Sequence, residues 1–449
     1  MSFHAQIRFG TGLSPAHPPA SRDEMLARLA GPDQIAAAFP QEGYAARAER
    51  ALEFVAARRD LTQGEAEAAL SERLSREMRE DNFRQMALTL ARGVASPDGL
   101  RERLTWFWAD HFTTVRRSAA MRGAITGYVE DAIRPHVAGR FGDLLASAVL
   151  HPAMVLYLDQ DRSVGPNSHV GLRTGRSLNE NLAREVLELH TLGVDAGYSQ
   201  RDVREMAELL TGIGIRQGRE LIFRPGHAEP GAETVFGATY GGARSADLSE
   251  IRAALHDLAL RPETARHICG KLADYFISDT PDPGLIDTMA AAWDDTGGAF
   301  LPVLHAMLSH RAARSDAPGR VKRPFHFITS ALRALGSPPN QIANASREMI
   351  NRRLHLPLIA MGQRWQGAAG PDGYFDDDRE WIRPQTLAAR IGWAMLTASE
   401  MPRLPDPRDF VVTALGDTAS PDLRRAAARA ETRAEGVGIV LAAPEFQRS

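Results

Sequence analysis

Residues 177–212 read SLNENLAREVLELHTLGVDAGYSQRDVREMAELLTG, and the first half of this stretch predicts a helix over 177–193. Ser177 and Glu180 have the spacing of a capping box, in which each side chain satisfies a backbone N–H of the first turn. Gly193 is expected to end the helix in a left-handed conformation. Apolar residues recur at helical spacing and predict the buried face: Leu178, Leu182, Val186 and Leu189.

The second half of the stretch predicts another helix. Ser199 and Asp202 repeat the capping signature, and Gly212 follows the last apolar position. Five residues, 195–199, join the two helices, so they are expected to form a helical hairpin. The buried face of the second helix is predicted to contain Val203, Met206, Ala207 and Leu210.

A polar seam runs beside the buried face of the first helix, with Asn181, Glu185 and Glu188 at i, i+4 and i+7. One interpretation makes Glu185 and Glu188 a carboxylate pair that binds a divalent metal or divides into acid and base. The other makes the seam structural: Arg184 pairs with Glu188 one turn on, and Glu185 meets an arginine of a neighbouring helix. The sequence leaves both interpretations open.

Helical patterns dominate the rest of the chain, which predicts an all-α fold. The exception is a small β-hairpin excursion around residues 216–245, where β-prone runs at 220–223 and 234–236 flank a loop rich in Gly and Pro. We expect one unit over 1–449, with N-terminal helices in 1–158, a central region in 159–336 and C-terminal helices in 337–449. One long helix is predicted over 420–443.

Composition excludes several classes of function. The formal net charge is −3 over 449 residues, without a long basic run, so nucleic acid is not expected as a partner. Phosphate-binding, serine-hydrolase, H-E-x-x-H and C-x-x-C motifs are absent from the sequence. A single cysteine, the lack of a secretory signal and the lack of an apolar run of membrane length predict a soluble, cytoplasmic protein without a membrane partner.

Two histidines are candidate ligands. His111, in RLTWFWADHFTT, lies on a stripe of aromatic residues, where it is either a satisfied core histidine or a metal ligand or general base. His227 follows a Pro-Gly turn inside the predicted excursion, where a loop can present an imidazole to a cleft, although an exposed histidine without a role is equally compatible with the pattern.

The 177–212 stretch resembles the signature of DUF1800, a bacterial family of unknown function, whose pattern is NENxAREL-x-EL-x-TLG followed by YT-x-x-DV-x-E-x-AR-x-LTGW. The resemblance extends along nearly the whole chain, including WFWADHF at 106–112, HPAMVLYLD at 151–159, ARHICGKLADYF at 265–276 and VKRPFHFITSALRALG at 321–336. It implies a predominantly helical fold. Family members are often encoded beside a sulfatase-like family, which implies a possible protein partner.

The chain departs from the family pattern at two places. The family reads W-H-N-H-F where this chain has W-A-D-H-F at 108–112, and it reads H-D-x-G-x-K where this chain has HAEPGAE at 227–233. The residues that keep the family identity are His111, Asn181, Arg184, Glu185, Glu188 and His227. Ala109, Ala228 and Glu233 do not keep it, which suggests an altered or inactive site.

The leading hypothesis is a hydrolase with a metal-assisted or acid/base site where the 97–115 helix, the 177–193 helix and the 216–245 loop converge. His111, His227 and Glu185 are the expected ligands of a divalent metal. Glu185 and Glu188 are the expected catalytic carboxylates, supported by Asn181 and Arg184. The alternative is a non-catalytic helical partner or assembly protein, in which the seam is a network of salt bridges.

Overall fold

The computed structural model describes residues 2–59, 65–115, 124–314 and 319–449. These residues form a predominantly helical fold, as the sequence predicts, and the predicted β excursion contains two short hairpins instead of one. No helix in this part of the chain is both long enough and apolar enough to cross a membrane. Two predicted helices begin at residues 62 and 119. Their first residues, 62–64 and 119–123, lie outside the described residues.

The α-helices in chain order are α1 (Ser2–Phe9), α2 (Arg22–Ala30), α3 (Gln34–Ala38), α4 (Tyr44–Arg59), α5 (Glu65–Ala95), α6 (Leu100–His111), α7 (Ile125–Tyr128), α8 (Phe141–Val149), α9 (Pro152–Tyr157), α10 (His169–Thr174), α11 (Asn181–Glu185), α12 (Gln200–Leu209), α13 (Leu248–Ala259), α14 (Pro262–Phe276), α15 (Pro283–Thr296), α16 (Phe300–Ser309), α17 (Pro324–Ala334), α18 (Pro339–Ala343), α19 (Arg347–Ile350), α20 (Leu356–Ala360), α21 (Asp378–Trp381), α22 (Pro384–Glu400), α23 (Pro407–Leu415), α24 (Pro421–Arg429), α25 (Arg433–Ala442) and α26 (Pro444–Gln447).

The β excursion contains two antiparallel hairpins. Strand β1 (Ile213–Arg216) pairs with β2 (Glu220–Phe223), and β3 (Ala232–Val235) pairs with β4 (Ala238–Gly241). The two predicted β-prone runs coincide with β2 and the end of β3. Their partner strands are four residues each, too short for a clear pattern in sequence.

The first signature helix begins later than predicted. Residues 177–180 are not helical, Glu180 makes no side-chain cap, and α11 starts at Asn181. The predicted capping box of Ser177 and Glu180 is therefore wrong. The physical reason is tertiary: the side-chain amide of Asn179 donates to the carbonyls of Leu158 and Asp159, at 2.9 and 3.1 Å, which holds this segment against the preceding loop.

The helix then continues as a π-helix over Val186–Thr191. Each π turn contains an extra residue, so the buried face shifts in phase relative to an α-helix. Leu182 and Val186 are buried as predicted, but Leu189 is only half-buried and Leu187 and His190 occupy the core instead. The capping box of Ser199 and Asp202 and the left-handed Gly193, at φ 91°, agree with the prediction.

The predicted helix over 420–443 is two helices. Helix α24 ends at Arg429, and α25 begins after Thr432, whose side chain accepts a hydrogen bond from the backbone N–H of Glu435. The local signal for this break, Thr followed three residues later by Glu, is present in the sequence. Local capping therefore interrupts an otherwise continuous helical pattern.

Two large hydrophobic clusters form the interior. The first is built mainly from α1, α2, α6–α9 and α11–α16, around Trp108 and Trp293. The second is built from the C-terminal half of α5 and from α17 and the helices after it, around Phe327 and Phe446. Helix α17 is buried along almost its whole length, because it packs on α5 and on the C-terminal helices.

Arg333 on α17 is fully buried and joins three parts of the chain. Its guanidinium donates to the carbonyl oxygens of Gly12, Val94 and Pro97 at 2.8, 2.8 and 2.7 Å, and also to that of Ser96. Burial lowers the pKa of this guanidinium to about 10, so it stays charged at neutral pH. One side chain thus connects the loop after α1, the end of α5 and α17.

We expect Arg333→Lys to lower the free energy of unfolding by about 3 kcal/mol, because an ammonium cannot reproduce a planar fork and leaves buried carbonyls without donors. Urea denaturation followed by circular dichroism measures the change. Arg379→Lys is the matched control, since the Arg379 side chain is 87% exposed. Equal midpoints for the two variants would show that the Arg333 contacts contribute little to stability.

Candidate functional site

The polar seam of α11 and the π-helix lies at the surface of the hairpin. The Arg184 guanidinium lies 2.9 Å from a carboxylate oxygen of Glu180 and 3.6 Å from one of Glu188. It also donates to the side chain of Gln200, at 2.9 Å, at the start of α12. Partial burial, followed by a hydrogen bond from its hydroxyl to Glu188, raises the pKa of Tyr198. These contacts tie the two signature helices to each other.

The two other seam residues lie on the same helix. Asn181 is exposed, and its backbone N–H donates to the side chain of Asn179 at 3.0 Å. Glu185 is half-buried. The contact that the second interpretation predicts between Arg184 and Glu188 is present.

His111 at the end of α6 lies inside the first cluster, among Phe107, Trp108 and Phe112. Its Nε2–H donates to the carbonyl oxygen of His190 at 3.2 Å. Burial, followed by the nearby positive charge of Lys271, lowers the pKa of His111 well below 6.5. The imidazole is therefore neutral and surrounded by aromatic rings.

His227 lies in a short 3-10 helix, Pro225–His227, between β2 and β3. It is half-buried, and its pKa is lowered by partial burial and by the positive charges of Arg224 and Arg176. Its carbonyl accepts a hydrogen bond from the backbone N–H of Gly165 at 2.8 Å, which connects the excursion to the loop after α9.

A different set of side chains comes together in metal-binding geometry. In the described ranges, one group of three or more His, Cys, Asp or Glu residues has its potential ligand atoms within 4.8 Å of one another: Glu205, Glu208 and Glu233. His111, Glu185 and His227 do not form such a group in these ranges. We call Glu205, Glu208 and Glu233 the glutamate cluster.

The glutamate cluster joins the second signature helix to the β excursion. Glu205 and Glu208, three residues apart, share one face of α12, and β3 packs against this helix. The backbone N–H of Thr234 donates to the Glu205 carboxylate at 2.8 Å, which positions the neighbouring Glu233 beside the helix. Arg201 and Arg204 contact Glu205 and Glu208 from the exposed side, at 3.3 and 3.0 Å.

Glu233 is the buried member of the cluster, at 6% exposed. Among the described residues, Glu233 makes no ion pair with an Arg, Lys or His within 4.0 Å, whereas its two neighbours do. Burial, followed by the negative charges of Glu208 and Glu205, raises the pKa of Glu233 to about 8. Glu233 is therefore protonated at neutral pH and hydrogen-bonds to Glu208.

The chain matches the family model described as "Protein of unknown function (DUF1800)" over residues 4–448. It belongs to the DUF1800 family. Comparison with curated proteins and with solved structures gives no match. The DUF1800 resemblance found in the sequence is thus confirmed over nearly the whole chain, but it brings no known activity.

The sequence interpretation missed Glu205 and Glu208 as site residues and noted Glu233 only as a departure from the DUF1800 pattern. The available signal was that departure: a carboxylate stands where the pattern has a lysine, in the β excursion that follows a helix with two glutamates on one face. Because the contact between α12 and β3 is tertiary, spacing along the chain did not reveal it.

We expect the stability of the protein to fall as pH rises from about 5 to about 9, and Glu233→Gln to make this fall less steep. The folded-state pKa of Glu233, about 8, lies above its ordinary value of 4.5, so folding retains a proton that the unfolded chain releases between these values. Thermal unfolding midpoints across this pH range measure the effect. Glu220→Gln, at an exposed glutamate in β2, is the control, and identical slopes in all three proteins would contradict the prediction.

Proposed function

We propose that this DUF1800 protein is an enzyme that uses one divalent cation at the glutamate cluster for hydrolysis. The observation that carries the proposal is the position of Glu233: a buried carboxylate lies beside two others, without a basic partner among the described residues. Isolated buried carboxylates are costly, and such a group either holds a proton or binds a cation.

The ligand chemistry favours a hard cation. Carboxylate oxygens are the ligands preferred by Mg²⁺, Ca²⁺ and Mn²⁺, and three of them from two elements leave coordination positions for water and substrate. The side chains of Glu205 and Glu208 are 18% and 13% exposed, so solvent reaches the edge of the cluster. Arg201 and Arg204 lie on the outer side, where they pair with Glu205 and Glu208.

A cation at this position would supply a specific chemistry. Held by Glu205, Glu208 and Glu233, it would act as a Lewis acid that polarises the carbonyl or phosphoryl oxygen of an ester or phosphate toward attack by water. A carboxylate oxygen of the cluster that is not needed as a ligand would accept the proton. The proposal thus keeps the metal-assisted hydrolase expected from the sequence and transfers it to other residues.

The polar seam favours a second candidate function, a non-catalytic partner or assembly protein. Arg184 is engaged by Glu180, Glu188 and Gln200, which is the arrangement expected of a structural network. A competing proposal for the reactive site keeps the residues predicted from the sequence. In it, His111, His227 and Glu185 bind the metal and Glu188 is the base. A sulfatase-like partner likewise stays a prediction.

We also propose a cytoplasmic location. It is supported by the single cysteine, Cys269, which is free and buried in α14, where burial raises the pKa of its thiol to about 12. Such a thiol is unreactive, and a protein without disulfides is typical of a reducing compartment.

The decisive measurement is titration with Mn²⁺, with the free ion followed by electron paramagnetic resonance. We expect the wild type to bind the ion and Glu233→Gln to bind at least about tenfold more weakly, because a charged ligand is lost. Glu220→Gln should bind as the wild type does. Hydrolysis of p-nitrophenyl acetate and p-nitrophenyl phosphate by the Mn²⁺-loaded protein tests the reaction class.

Two results would overturn this proposal. Wild-type protein that binds no Mn²⁺, Mg²⁺ or Ca²⁺ across neutral and alkaline pH would exclude a cation at the glutamate cluster. Binding that survives Glu233→Gln but disappears in a folded His111→Ala or Glu185→Ala variant would favour the ligands predicted from the sequence. Cation binding without hydrolysis of either ester would retain the site and reject the reaction class.

A further inference from the structure

A cleft with a cavity volume of about 140 Å³ lies between the two hydrophobic clusters. Its wall is formed by residues of α5 and α6, by residues within 113–114 and 125–134, by Tyr275, by the start of α17 and by residues between 358 and 374. Phe325 and Leu358 belong to the second cluster, and Val129 packs against the first. Boundaries between packed units are common positions for small-molecule sites. The wall shares no residue with the glutamate cluster.

Aromatic rings form one side of the cleft. Trp106 meets Phe325 edge to face at 5.1 Å between ring centroids, and Phe325 meets Trp365 at 5.2 Å. Most of the exposed wall is apolar. A ligand that fills the cleft therefore gains mainly by removing apolar surface from water.

The charged groups of the wall are paired with one another. Arg92 makes two hydrogen bonds to Glu130, at 2.6 and 3.0 Å. Arg134 makes two to Glu102, at 2.6 and 3.0 Å.

Two other groups of the wall, Arg323 and His326, also present no unpaired charge. Arg323 pairs with Asp110. Burial, followed by the charge of Arg103, lowers the pKa of His326 well below 6.5, so this imidazole is neutral. Among the described residues, the charged groups of the wall leave no unpaired counter-charge for a charged ligand, which would have to leave water uncompensated.

Three wall residues carry buried polar groups without a partner among the described atoms. These groups are the indole N–H of Trp106, the indole N–H of Trp365 and the hydroxyl of Thr114. Buried donors are normally satisfied, and each unmet donor costs about 1–3 kcal/mol. An acceptor oxygen on a ligand would supply what the two indoles lack, since an indole N–H can only donate.

Two of the departures from the DUF1800 pattern lie on this wall. Ala109 and Asp110 stand where the pattern has His and Asn, whereas His111, which keeps the pattern, is not part of the wall. Alanine at 109 leaves space that an imidazole would fill. Asp110 supplies the carboxylate that neutralises Arg323. Both changes make the cleft of this chain roomier and uncharged.

We propose that this cleft binds a neutral, largely apolar organic molecule with a carbonyl or ether oxygen that accepts a hydrogen bond from the indole of Trp365. This site is separate from the cation site proposed above and does not depend on it.

Nile red, a neutral aromatic dye with a carbonyl group, tests the proposal. We expect saturable binding to the full-length protein with a blue shift of the dye emission. Ala109→Trp should abolish this binding, because the larger side chain fills the cleft. Ala46→Trp is the matched control, since Ala46 is exposed on α4 and outside the wall. Glu233→Gln should bind the dye as the wild type does.

A second experiment tests the hydrogen bond between the indole N–H and the ligand. Trp365→Phe keeps the aromatic ring and removes the donor, so we expect it to weaken Nile red binding about three- to tenfold. The anionic dye ANS should not displace Nile red. The site would be overturned if the wild type showed no saturable Nile red binding, or if a folded Ala109→Trp variant still bound the dye. Displacement by ANS would overturn the neutral ligand, and an unchanged affinity of Trp365→Phe would overturn the acceptor.

Discussion

A single buried guanidinium, that of Arg333, holds the boundary on which the two halves of the interior meet. It donates hydrogen bonds to carbonyl oxygens in the loop after α1 and at the end of α5, and it is itself part of α17. Desolvating a guanidinium is expensive, so this contact is tolerated only when several carbonyls are oriented toward it at once. The carbonyls of Val94, Ser96 and Pro97 lie just before α6, so this contact holds α17 against the segment that leads into α6.

Charge compensation explains both candidate sites. At the cleft, Arg92, Arg134 and Arg323 each have a carboxylate partner, and the wall is left neutral. At the glutamate cluster the opposite holds, because Arg201 and Arg204 pair with Glu205 and Glu208 and, in the described part of the chain, no basic side chain pairs with Glu233. One site is thus suited to a neutral molecule and the other to a cation or a proton. The difference comes from which arginines can reach the buried carboxylates.

The polar residues of the 177–212 signature make contacts that hold the hairpin together. Arg184, Glu188 and Gln200 connect the two helices of the hairpin, and His111 is part of an aromatic core beside His190. The second helix of the same signature contributes Glu205 and Glu208. The signature therefore builds the scaffold that presents the excursion, and the group of close carboxylates arises where that scaffold meets β3.

The sequence by itself determined the helical class, the hairpin of α11 and α12, the capping box at Ser199 and Asp202 and the position of the β excursion, because these depend on short-range spacing and on backbone hydrogen bonds within a few residues. Only the tertiary structure decided the late start of α11, the π-helical phase that buries Leu187 and His190, and the meeting of Glu205, Glu208 and Glu233. These features depend on contacts between distant segments, such as Asn179 with Leu158 and Thr234 with Glu205, which leave no periodic trace along the chain.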